Sequence, residues 1–464
     1  MRFGRGHKGH RTLMRGCAAL CLSTIASGGL AQDNFFNSVN VQIPRTSAAS
    51  SAYSLFGWLN QKIGYGLEAP GVPFSRQNSE LTKVETSLFM QFDTAVNDSL
   101  QLRFSGKAYR DTIYSLNDNP QFSTDERNKF RSRFEVKDFF LERQYDNGVY
   151  LKVGNQLFAW GLSEYSRVTD LINTEDQFTF GQQDLEDIRL QVPATLLSFQ
   201  LGDWTLNSVL TYQAGRNDTA PVRDEFDQFL LLRDSGLNLE REQPDNQYEG
   251  FLRASTNWAR GDLQLIAGEF NDNNLSVERI EAIGSIQPSI IYSQNRMRML
   301  GIAGNWVNGA WLMFAELGLH QDKAVRPTAE TFFGQSQGWA QKDQALRAFG
   351  LEYNGFRNLL LTIELDNTHS RGHDEFMADQ RDQTSFGTRV YWTALNERLE
   401  LIAVWNNLID ADTEIGRLSV NYNWSDQIAL GLLWMNYSSQ RESLFYDYRN
   451  NDMLQLQLQF NFQI

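Results

Sequence analysis

The sequence predicts an all-β protein, a transmembrane antiparallel β-barrel of the outer-membrane type with about 18 strands. Three observations predict this fold: a strictly alternating C-terminal run, a long series of paired alternating runs, and tryptophans beside tight turns. From Leu454 to Ile464 every even position is apolar and every odd position is an amide. A period of two puts these sets on opposite faces of a strand, and roughly ten such residues cross a bilayer when tilted. We therefore expect lipid on the apolar face and a wet interior on the amide face.

The same run resembles the C-terminal sorting signal of Gram-negative outer-membrane barrels. In that signal a final amphipathic strand ends in an aromatic residue, whereas this chain ends in Ile464, with Phe460 and Phe462 on the same face. The resemblance implies a place in the outer membrane of a Gram-negative bacterium, in contact with outer-membrane lipid and lipopolysaccharide. It also implies recognition by the barrel assembly machinery.

The N-terminus has the features of a secretory signal peptide. Five basic residues precede a short apolar run, and the small residues Gly29 and Ala31 follow it, so we place cleavage after Ala31. Both cysteines, Cys17 and Cys21, lie in this segment, so the mature chain has no disulfide, thiol nucleophile or thiolate metal site. Losing five positive charges and no acids takes the formal net charge from −14 to −19. This charge argues against nucleic acid as a partner.

The predicted organisation has three parts: a signal peptide at 1–31, a periplasmic N-terminal segment at 32–52 and the barrel at 53–464. Within the barrel, alternating runs come in pairs joined by short turn sequences. No stretch approaches the roughly 18 apolar residues of a membrane-spanning helix. Short turns alternating with long polar loops are typical of outer-membrane barrels. Sixteen strands is the alternative count, because the runs near 53–66 and 186–200 alternate least clearly.

Tryptophans give an independent indication of the membrane boundary. Several lie within two or three residues of a tight turn, and indole prefers the headgroup layer. We therefore expect an aromatic girdle at the end of the barrel where the strands are joined by short turns. Its members are Trp204, Trp258, Trp306, Trp311 and Trp424.

Alternation along the strands also predicts which charged side chains line the lumen, and these carry both signs. One role is selection of ions or polar substrates in an open pore; the other is paired charges that brace the wall or bind an inward-folded loop. The predicted lumen-lining residues are Arg103, Lys107, Lys152, Arg189, Arg253, Arg298, Arg389, Arg417, Glu316, Glu352 and Glu364.

Catalytic and metal-binding patterns are sparse. His369 and His373 are four residues apart, near Asp374 and Glu375. That spacing brings two metal ligands together only on a helix, and this stretch is predicted to be an outer loop. His320 is the one base candidate at a strand top, and no serine motif accompanies it. The sequence therefore predicts no enzyme, no cofactor and no metal site.

One segment resembles a known family. The run Leu151 to Gln156, then Trp160 and Gly161, then Val168 to Asn173 and Asp176 is similar to barrels of a poorly characterised proteobacterial outer-membrane family of unknown function. Its members are typically encoded beside RND-type transporters of large hydrophobic molecules and a periplasmic lipid-carrier-like partner. In the family pattern a Glu follows Trp-Gly directly, whereas here two residues intervene. The resemblance implies a part in moving lipid or another hydrophobic compound across the envelope.

The same segment predicts a constriction. A Gly after a Trp at a strand top lets the chain bend inward, and the apolar residues between Arg167 and Phe180 need burial. The alternative is an outer girdle Trp followed by a turn glycine. The predicted constriction-loop residues are Trp160, Gly161, Glu164, Asn173 and Asp176.

Three functions follow, in this order: passage of lipid or hydrophobic compounds with a periplasmic partner and an RND-type transporter; a general porin or small-solute channel; and a closed structural or adhesive barrel. Polar inward faces fit the porin. A lipid conduit predicts apolar inward residues near a lateral opening, and we expect Phe139 and Leu141 on one strand and Leu300 and Ile302 on another to supply them.

Overall fold

The computed structural model describes residues 53–68, 81–116, 131–183, 185–220, 226–227, 238–281, 289–325, 340–374, 377–441, 443 and 445–464. The predicted signal peptide at 1–31 and N-terminal segment at 32–52 lie outside the described residues. Helices are few and short: α1 is Ile113–Leu116, α2 is Leu185–Ile188, and 3-10 turns occupy Ile409–Ala411 and Tyr446–Tyr448. In the part of the chain that is described, we find no helix with the length and apolar character needed to cross a membrane.

Strands make up most of the described chain. In chain order they are β1 Tyr53–Gly66, β2 Leu81–Asn97, β3 Leu100–Asp111, β4 Ser132–Gln144, β5 Tyr150–Gln156, β6 Thr174–Gln177, β7 Arg189–Leu190, β8 Val192–Leu201, β9 Trp204–Thr211, β10 Asp218–Thr219, β11 Asn238–Arg241, β12 Glu249–Trp258, β13 Gly261–Asn271, β14 Ser276–Glu281, β15 Ser289–Ser293, β16 Arg296–Asn308, β17 Trp311–Val325, β18 Ala340–Phe356, β19 Leu359–Ser370, β20 Asp382–Ala394, β21 Leu399–Leu408, β22 Thr413–Asn423, β23 Ile428–Ser439 and β24 Met453–Gln463.

Eighteen of these strands form one closed antiparallel barrel, which confirms the predicted fold and count. The first strand pairs with β2 and also with β24, where Trp58 lies opposite Asn461 and Ile63 opposite Leu456. This pairing leaves the barrel no open edge, so every strand satisfies its backbone groups on both sides. The remaining strands form two three-stranded sheets, β6 with β7 and β10, and β11 with β14 and β15.

The faces of β24 follow the alternation read from the sequence. Leu454, Leu456 and Leu458 are exposed on the outside, whereas Met453 and Gln455 are buried inside. The outward set forms part of an apolar belt that continues around the barrel, as a lipid-facing surface requires. Four of the five turn tryptophans are exposed and share the outward face of their strands near the short turns; Trp204 is partly exposed there.

One predicted strand is wrong in its first half. The run near 186–200 becomes a barrel strand only from Val192, and residues 185–190 instead form α2 and β7, which belong to a segment inside the barrel. Pro193 is the second residue of β8, opposite Asn155 on β5. A period-two pattern does not distinguish a wall strand from a short strand packed on the inner wall, because both bury alternate residues.

Candidate functional site: a loop folded into the lumen and the cavity beside it

The connection from β5 to β8, residues 157–191, folds into the barrel; we call it the inner loop. Its side chains Trp160, Tyr165, Val168 and Ile172 are buried, and Tyr165 is 0% exposed. A loop on the outer surface would leave such apolar groups in water or lipid headgroups. Their burial supplies much of the free energy that holds the loop in the lumen, because apolar area is removed from water.

The apolar side of the inner loop packs on inward-facing residues of five strands, β8, β9, β12, β13 and β16. These residues form one buried cluster with the loop, and Gln264 of β13 adds a 2.8 Å hydrogen bond from its side-chain amide to the carbonyl oxygen of Trp160. Arg253 lies 4.8 Å from the centre of the Trp160 indole ring. The cluster contains Phe158, Trp160 and Ile172 from the loop, and Val192, Ala194, Val209, Phe251, Ile266, Phe270, Met297 and Met299 from the wall.

Glu316 of β17 is the first anchor of the loop. Its carboxylate accepts hydrogen bonds from the backbone N–H groups of Leu162 at 2.9 Å, Ser163 at 3.0 Å and Thr169 at 2.8 Å. The hydroxyl of Thr169 donates a further bond to the same carboxylate. A fully buried carboxylate is stable only when several donors replace its water, and these four donors fix two points of the loop at once.

Glu364 of β19 is the second anchor. It accepts from the backbone N–H groups of Glu164 at 3.1 Å and Tyr165 at 3.3 Å, and from the hydroxyl of Ser163. The same hydroxyl lies 3.4 Å from a carboxylate oxygen of Asp366. Two wall strands, β17 and β19, on either side of β18, therefore hold the turn at 162–165 through backbone donors, whatever the loop side chains are.

The predicted residue Glu164 forms the third anchor, an ion pair with Arg389 of β20. The guanidinium and carboxylate are 2.5 Å apart, and their side chains are 1% and 3% exposed. A buried pair of this kind is costly to break, because removing one partner leaves the other charge in a dry site. The predicted Trp160 and Gly161 lie next to these anchors, and a Cβ on Gly161 would lie 2.9 Å from the Cβ of Asp170.

Ion pairs within the loop fix its shape. Arg189 pairs with Asp170 at 2.5 Å, and Arg167 pairs with Glu175 at 3.4 Å. Burial alone would raise the pKa of Asp170, but the charges of Arg189 and Arg167 outweigh it and hold that pKa below its ordinary value. Arg189 was predicted to line the lumen from a wall strand at 186–200; the structure places it in the inner loop instead, in the short strand β7.

Asn173 and Asp176, both predicted, join the loop to itself and to the wall. The side-chain oxygen of Asn173 accepts from the N–H of Phe158 at 2.8 Å, and its amide donates to the carbonyl oxygen of Leu190 at 2.7 Å, so it ties the two ends together. Asp176 lies 3.4 Å from the guanidinium of Arg133 on β4. Burial raises the pKa of Asp176 to about 6, with the positive charge of Arg133 opposing the shift.

Glycines on the inner wall let the loop approach the strands closely. A Cβ built at Gly387 of β20 would lie 2.3 Å from the ring of Tyr165, and one at Gly301 of β16 would lie 2.3 Å from a methyl carbon of Thr169. No side chain fits at these distances. Inward-facing glycines in otherwise regular strands indicate that another segment of backbone packs closely on the inner wall. These glycines are visible in the sequence, but sequence reasoning did not interpret them in this way.

Most of the predicted lumen-lining charges face inward and are paired. Arg103 lies 2.6 Å from Asp93, Lys107 pairs with Asp187 of the inner loop, and Lys152 lies 3.7 Å from the centre of the Phe140 ring. The last of these contacts is a cation–π interaction. Arg417 of β22 donates to the loop carbonyl oxygens of Gly181 at 3.3 Å and Gln183 at 2.8 Å. Glu352 of β18 shares the inward face of its strand with the buried Gly350 and Ala348.

Arg298 is a correction, because it faces outward. Its side chain is 61% exposed and lies 3.5 Å from Glu269 on the outer surface. On β16 the buried residues are Met297, Met299 and Ala303, and the two methionines pack against the inner loop. The register of the strand is set by those apolar contacts with the loop, so the arginine between them points away from the lumen.

The apolar residues predicted to line a lateral opening also face outward. Phe139 and Leu141 of β4 and Leu300 and Ile302 of β16 are all exposed, with Phe139 54% exposed. A bulge in the pairing between β3 and β4 precedes Phe139 and shifts its face relative to the start of the strand. These four residues belong to the lipid-facing belt, and the expectation that they line a conduit is wrong.

The three histidines of the described chain make structural bonds. Nε2 of the buried His320 lies 2.9 Å from the carbonyl oxygen of Val168, Nδ1 of His369 lies 2.7 Å from Asp382, and Nε2 of His373 lies 2.9 Å from the carbonyl oxygen of Asp379. Among the residues that are described, no group of three or more His, Cys, Asp or Glu side chains is arranged to hold a metal ion.

A feature that sequence reasoning missed is a cavity of about 300 Å³ beside the inner loop. It lies against β1 and β21 to β24, and polar uncharged groups dominate the inward side chains that line it. We call this part of the barrel the amide wall. Its inward polar and aromatic residues at the cavity are Trp58, Asn60, Glu400, Arg417, Ser419, Asn421, Asn423, Gln455, Gln457 and Gln459, and the other inward residues there are Ile402, Ala429, Gly431 and Leu433.

An aromatic cluster, which we call the outer plug, lies inside the barrel at the loop end of the amide wall. Phe180 of the inner loop stacks on Phe445 at 5.7 Å, and Phe226 contacts Tyr448 at 5.3 Å. The plug packs on Met435 and other buried residues at the loop ends of β21 to β24. Three separate loops thus meet inside the barrel, and the cavity lies on the turn side of their contact.

The fold and the site together define a class: a closed 18-stranded β-barrel of the outer-membrane type, with a loop folded into the lumen. A model of a protein family of unknown function, DUF1302, matches residues 15–224. This match covers the segment from β5 to Asp176 that resembled an uncharacterised barrel family. No curated protein matches the chain.

Solved structures with a similar fold are outer-membrane barrels of Gram-negative bacteria. OccAB3 of Acinetobacter baumannii superposes with a TM-score of 0.52 at 9% identity, covering 89% of this chain and 100% of that chain. OccK9 (OpdG) of Pseudomonas aeruginosa gives 0.50 at 11% identity, covering 89% and 98%. The outer membrane protein OpdK of Pseudomonas aeruginosa gives 0.50 at 11%, covering 89% and 99%. At such low identity the likeness shows a shared fold.

Proposed function

We propose that this protein is an outer-membrane channel that passes small polar solutes along the amide wall, past the inner loop. The observation that carries the proposal is the division of the lumen. Glu316, Glu364 and Arg389 hold the inner loop against one side, while the amide wall keeps a polar cavity of about 300 Å³ on the other. A narrow polar bore with fixed walls is the arrangement that selects small solutes by size and hydrogen bonding.

Conductance of the refolded mature protein in a planar lipid bilayer tests this proposal. We expect steady ohmic channels of small conductance. The double variant Glu316→Ala and Glu364→Ala removes the acceptors for the loop backbone, so the loop is released and the conductance rises several-fold. Glu269→Ala is the matched control, because it removes a carboxylate from the outer surface, where Glu269 pairs with Arg296 and Arg298.

A barrel that stays silent both with and without its loop anchors would contradict the channel and leave a closed structural or adhesive barrel. Folding of each variant is checked by its heat-dependent migration on a gel, which separates folded from unfolded barrels. The proposal assigns no catalytic step, because the three histidines of the described chain make the structural contacts given above.

Passage of lipid or another hydrophobic compound is the second candidate. It rests on the family resemblance, which also supplies the proposed periplasmic lipid carrier and RND-type transporter. One observation favours it: the wall under the inner loop is apolar, with Phe251, Phe270, Met297 and Met299 facing the lumen. Displacement of the inner loop by a partner would expose an apolar strip on the inner wall of the barrel.

Release of the loop separates the two candidates. If the polar channel is correct, the wild type conducts and a hydrophobic dye does not cross liposomes that contain it. If the hydrophobic passage is correct, the wild type is silent, and dye transfer begins only with the Glu316→Ala and Glu364→Ala variant or after addition of a periplasmic extract. Contacts with lipopolysaccharide and with the barrel assembly machinery remain proposals that rest on the fold class.

A further inference from the structure

The amide wall has the chemistry of a binding site as well as of a bore. Its two charged members are already engaged: Glu400 accepts from Tyr391 at 3.1 Å and from Asn421 at 3.2 Å, and Arg417 donates to the inner loop. The remaining polar groups that face the cavity are carboxamides and one hydroxyl, all of them uncharged. Carboxamides both donate and accept hydrogen bonds, which suits ligands that do the same.

Two of these carboxamides carry acceptor atoms with no partner. Asn60 is 1% exposed and Gln455 is 2% exposed. The side-chain oxygen of each has no hydrogen-bond partner among the residues described. Asn60 donates its amide to Gln459 at 3.4 Å, so its oxygen is the free end. A buried acceptor without a donor is costly. Asn60 lies opposite Gln459 and Gln455 lies opposite Gly64, so two separate hydroxyls of one ligand would be needed to satisfy both oxygens.

Trp58 completes the site with an apolar surface. Its indole lines the cavity and is held in place by Phe89, whose ring is stacked on it with centroids 5.6 Å apart. Trp58, Asn60 and Gln459 are neighbours, because β1 pairs with β24 and places Asn60 opposite Gln459; Gln457 and Gln455 follow along the same wall, opposite Lys62 and Gly64. One rigid patch of wall thus presents an aromatic surface beside several two-way hydrogen-bonding groups.

We propose that this cavity binds a neutral saccharide of one or two rings. The inference rests on the proposed channel function and names its substrate class. Sugar hydroxyls donate and accept in pairs, as carboxamides do, and the C–H groups of a sugar ring pack on indole. A volume of about 300 Å³ is at the lower end of the range of small-molecule sites. The cavity begins near the turn end, at Asn423, and reaches Arg417, six residues along β22, or about 20 Å.

Calorimetric titration of the refolded full-length mature protein in detergent with maltose tests the site without requiring conduction. We expect saturable binding in the wild type. The double variant Asn60→Ala and Gln455→Ala should weaken it about tenfold, the effect of losing one or two hydrogen bonds. Asn207→Ala is the matched control, because Asn207 is a buried inward amide on β9, a strand that does not border the cavity. Gln457→Ala, a single change at a half-buried cavity residue, should weaken binding less and serves if the double variant fails to fold.

In planar bilayers, maltose should reduce the current of the wild type at the concentrations that saturate the calorimetric site. Gluconate, an acyclic anionic relative of glucose, should do so only at much higher concentration. Equal or stronger binding of gluconate would overturn the neutral-saccharide assignment, and so would maltose binding that Asn60→Ala and Gln455→Ala leave unchanged. A barrel that conducts but does not bind maltose refutes this inference alone, whereas one that binds maltose but does not conduct refutes the channel.

Discussion

The two sides of the lumen differ in what faces inward, and the difference follows from what lies against each. On the side under the inner loop, the inward residues are apolar groups, glycines and buried carboxylates, such as Met299, Gly387 and Glu316. On the amide wall they are short polar side chains such as Asn60 and Gln457. The amide wall therefore borders a polar cavity, whereas the apolar wall under the inner loop is packed like the core of a soluble protein.

This comparison predicts that substitutions on the loop side change the position of the loop, whereas equivalent substitutions on the amide wall or the outer surface do not. A single cysteine reports the loop position, since both natural cysteines lie in the predicted signal peptide. Val168→Cys places a thiol at a loop position that is 0% exposed. Its reaction with a water-soluble maleimide measures how often the loop leaves the wall.

The largest effect is expected from Arg389→Ala. Loss of the guanidinium leaves the buried Glu164 carboxylate without its ion-pair partner, which weakens loop docking by about 3 to 5 kcal/mol. Maleimide labelling of Val168→Cys should then approach the rate of an exposed thiol. The double variant Glu164→Gln and Arg389→Met removes both charges and should label more slowly than Arg389→Ala. Equal labelling of the two variants would show that the ion pair does not anchor the loop.

A smaller effect is expected from Met299→Ala. Met299 is buried under the loop, and truncation of a buried methionine costs about 2 to 4 kcal/mol. Labelling at Val168→Cys should rise, and conductance should increase with it. Leu300→Ala, one residue away on the outer face, is the control and should change neither quantity. If Leu300→Ala released the loop as strongly as Met299→Ala, the assignment of faces on β16 would be wrong.

Gly387→Ala tests the close approach of the inner loop to β20. The new Cβ would lie 2.3 Å from the ring of Tyr165, so the loop must shift, at a cost of about 1 to 3 kcal/mol. Gly416→Ala on β22 is the matched control, because its Cβ would meet its nearest neighbour, Asn436, at 3.8 Å. We expect faster labelling of Val168→Cys in the first variant and an unchanged rate in the second. Unchanged labelling in both would mean that the loop does not rest on Gly387.

A pH effect of about 1 kcal/mol is expected from Asp176. Burial raises its pKa from 3.8 to about 6, so the docked loop binds the proton more tightly than the released loop. The contribution of this group to docking is thus complete below pH 3.8 and is lost as the pH rises through 6. Docking should be tighter at pH 5 than at pH 7.5. Comparison with Asp176→Asn at each pH removes the pH dependence of the thiol itself; identical ratios at both pH values would contradict the prediction.

The smallest effect is expected from Arg298→Ala. The side chain is exposed on the outer surface, and exposed ion pairs contribute at most about 1 kcal/mol. Ion selectivity and conductance should match the wild type. Arg417→Ala is the contrast, because Arg417 faces the lumen and holds the loop carbonyl oxygens of Gly181 and Gln183. A change in ion selectivity with Arg298→Ala would indicate that Arg298 faces the lumen, as the sequence predicted.

Much of the barrel could be predicted because its signals are local. The alternation in β24, the paired runs and the tryptophans beside the turns each depend on neighbours within a few residues, and they led to the correct strand count and to the correct faces for most strands. The error at 186–200 arose where a short inner strand, β7, has the same period as a wall strand. The position of Arg298 was wrong because apolar methionines, not charges, turned out to face the lumen on β16.

The sequence by itself determined the class of this protein, because a period of two, tight turns and long loops specify a membrane barrel strand by strand. It also marked the segment around Trp160 as one that needs burial. Only the tertiary structure decided on which part of the inner wall that segment packs and which part it leaves uncovered. Glu316 and Ser163 are 153 residues apart, and Asn60 and Gln459 are 399 residues apart. Such contacts form only after all eighteen strands have paired into a closed barrel. A local sequence pattern does not specify how far apart residues on different strands lie.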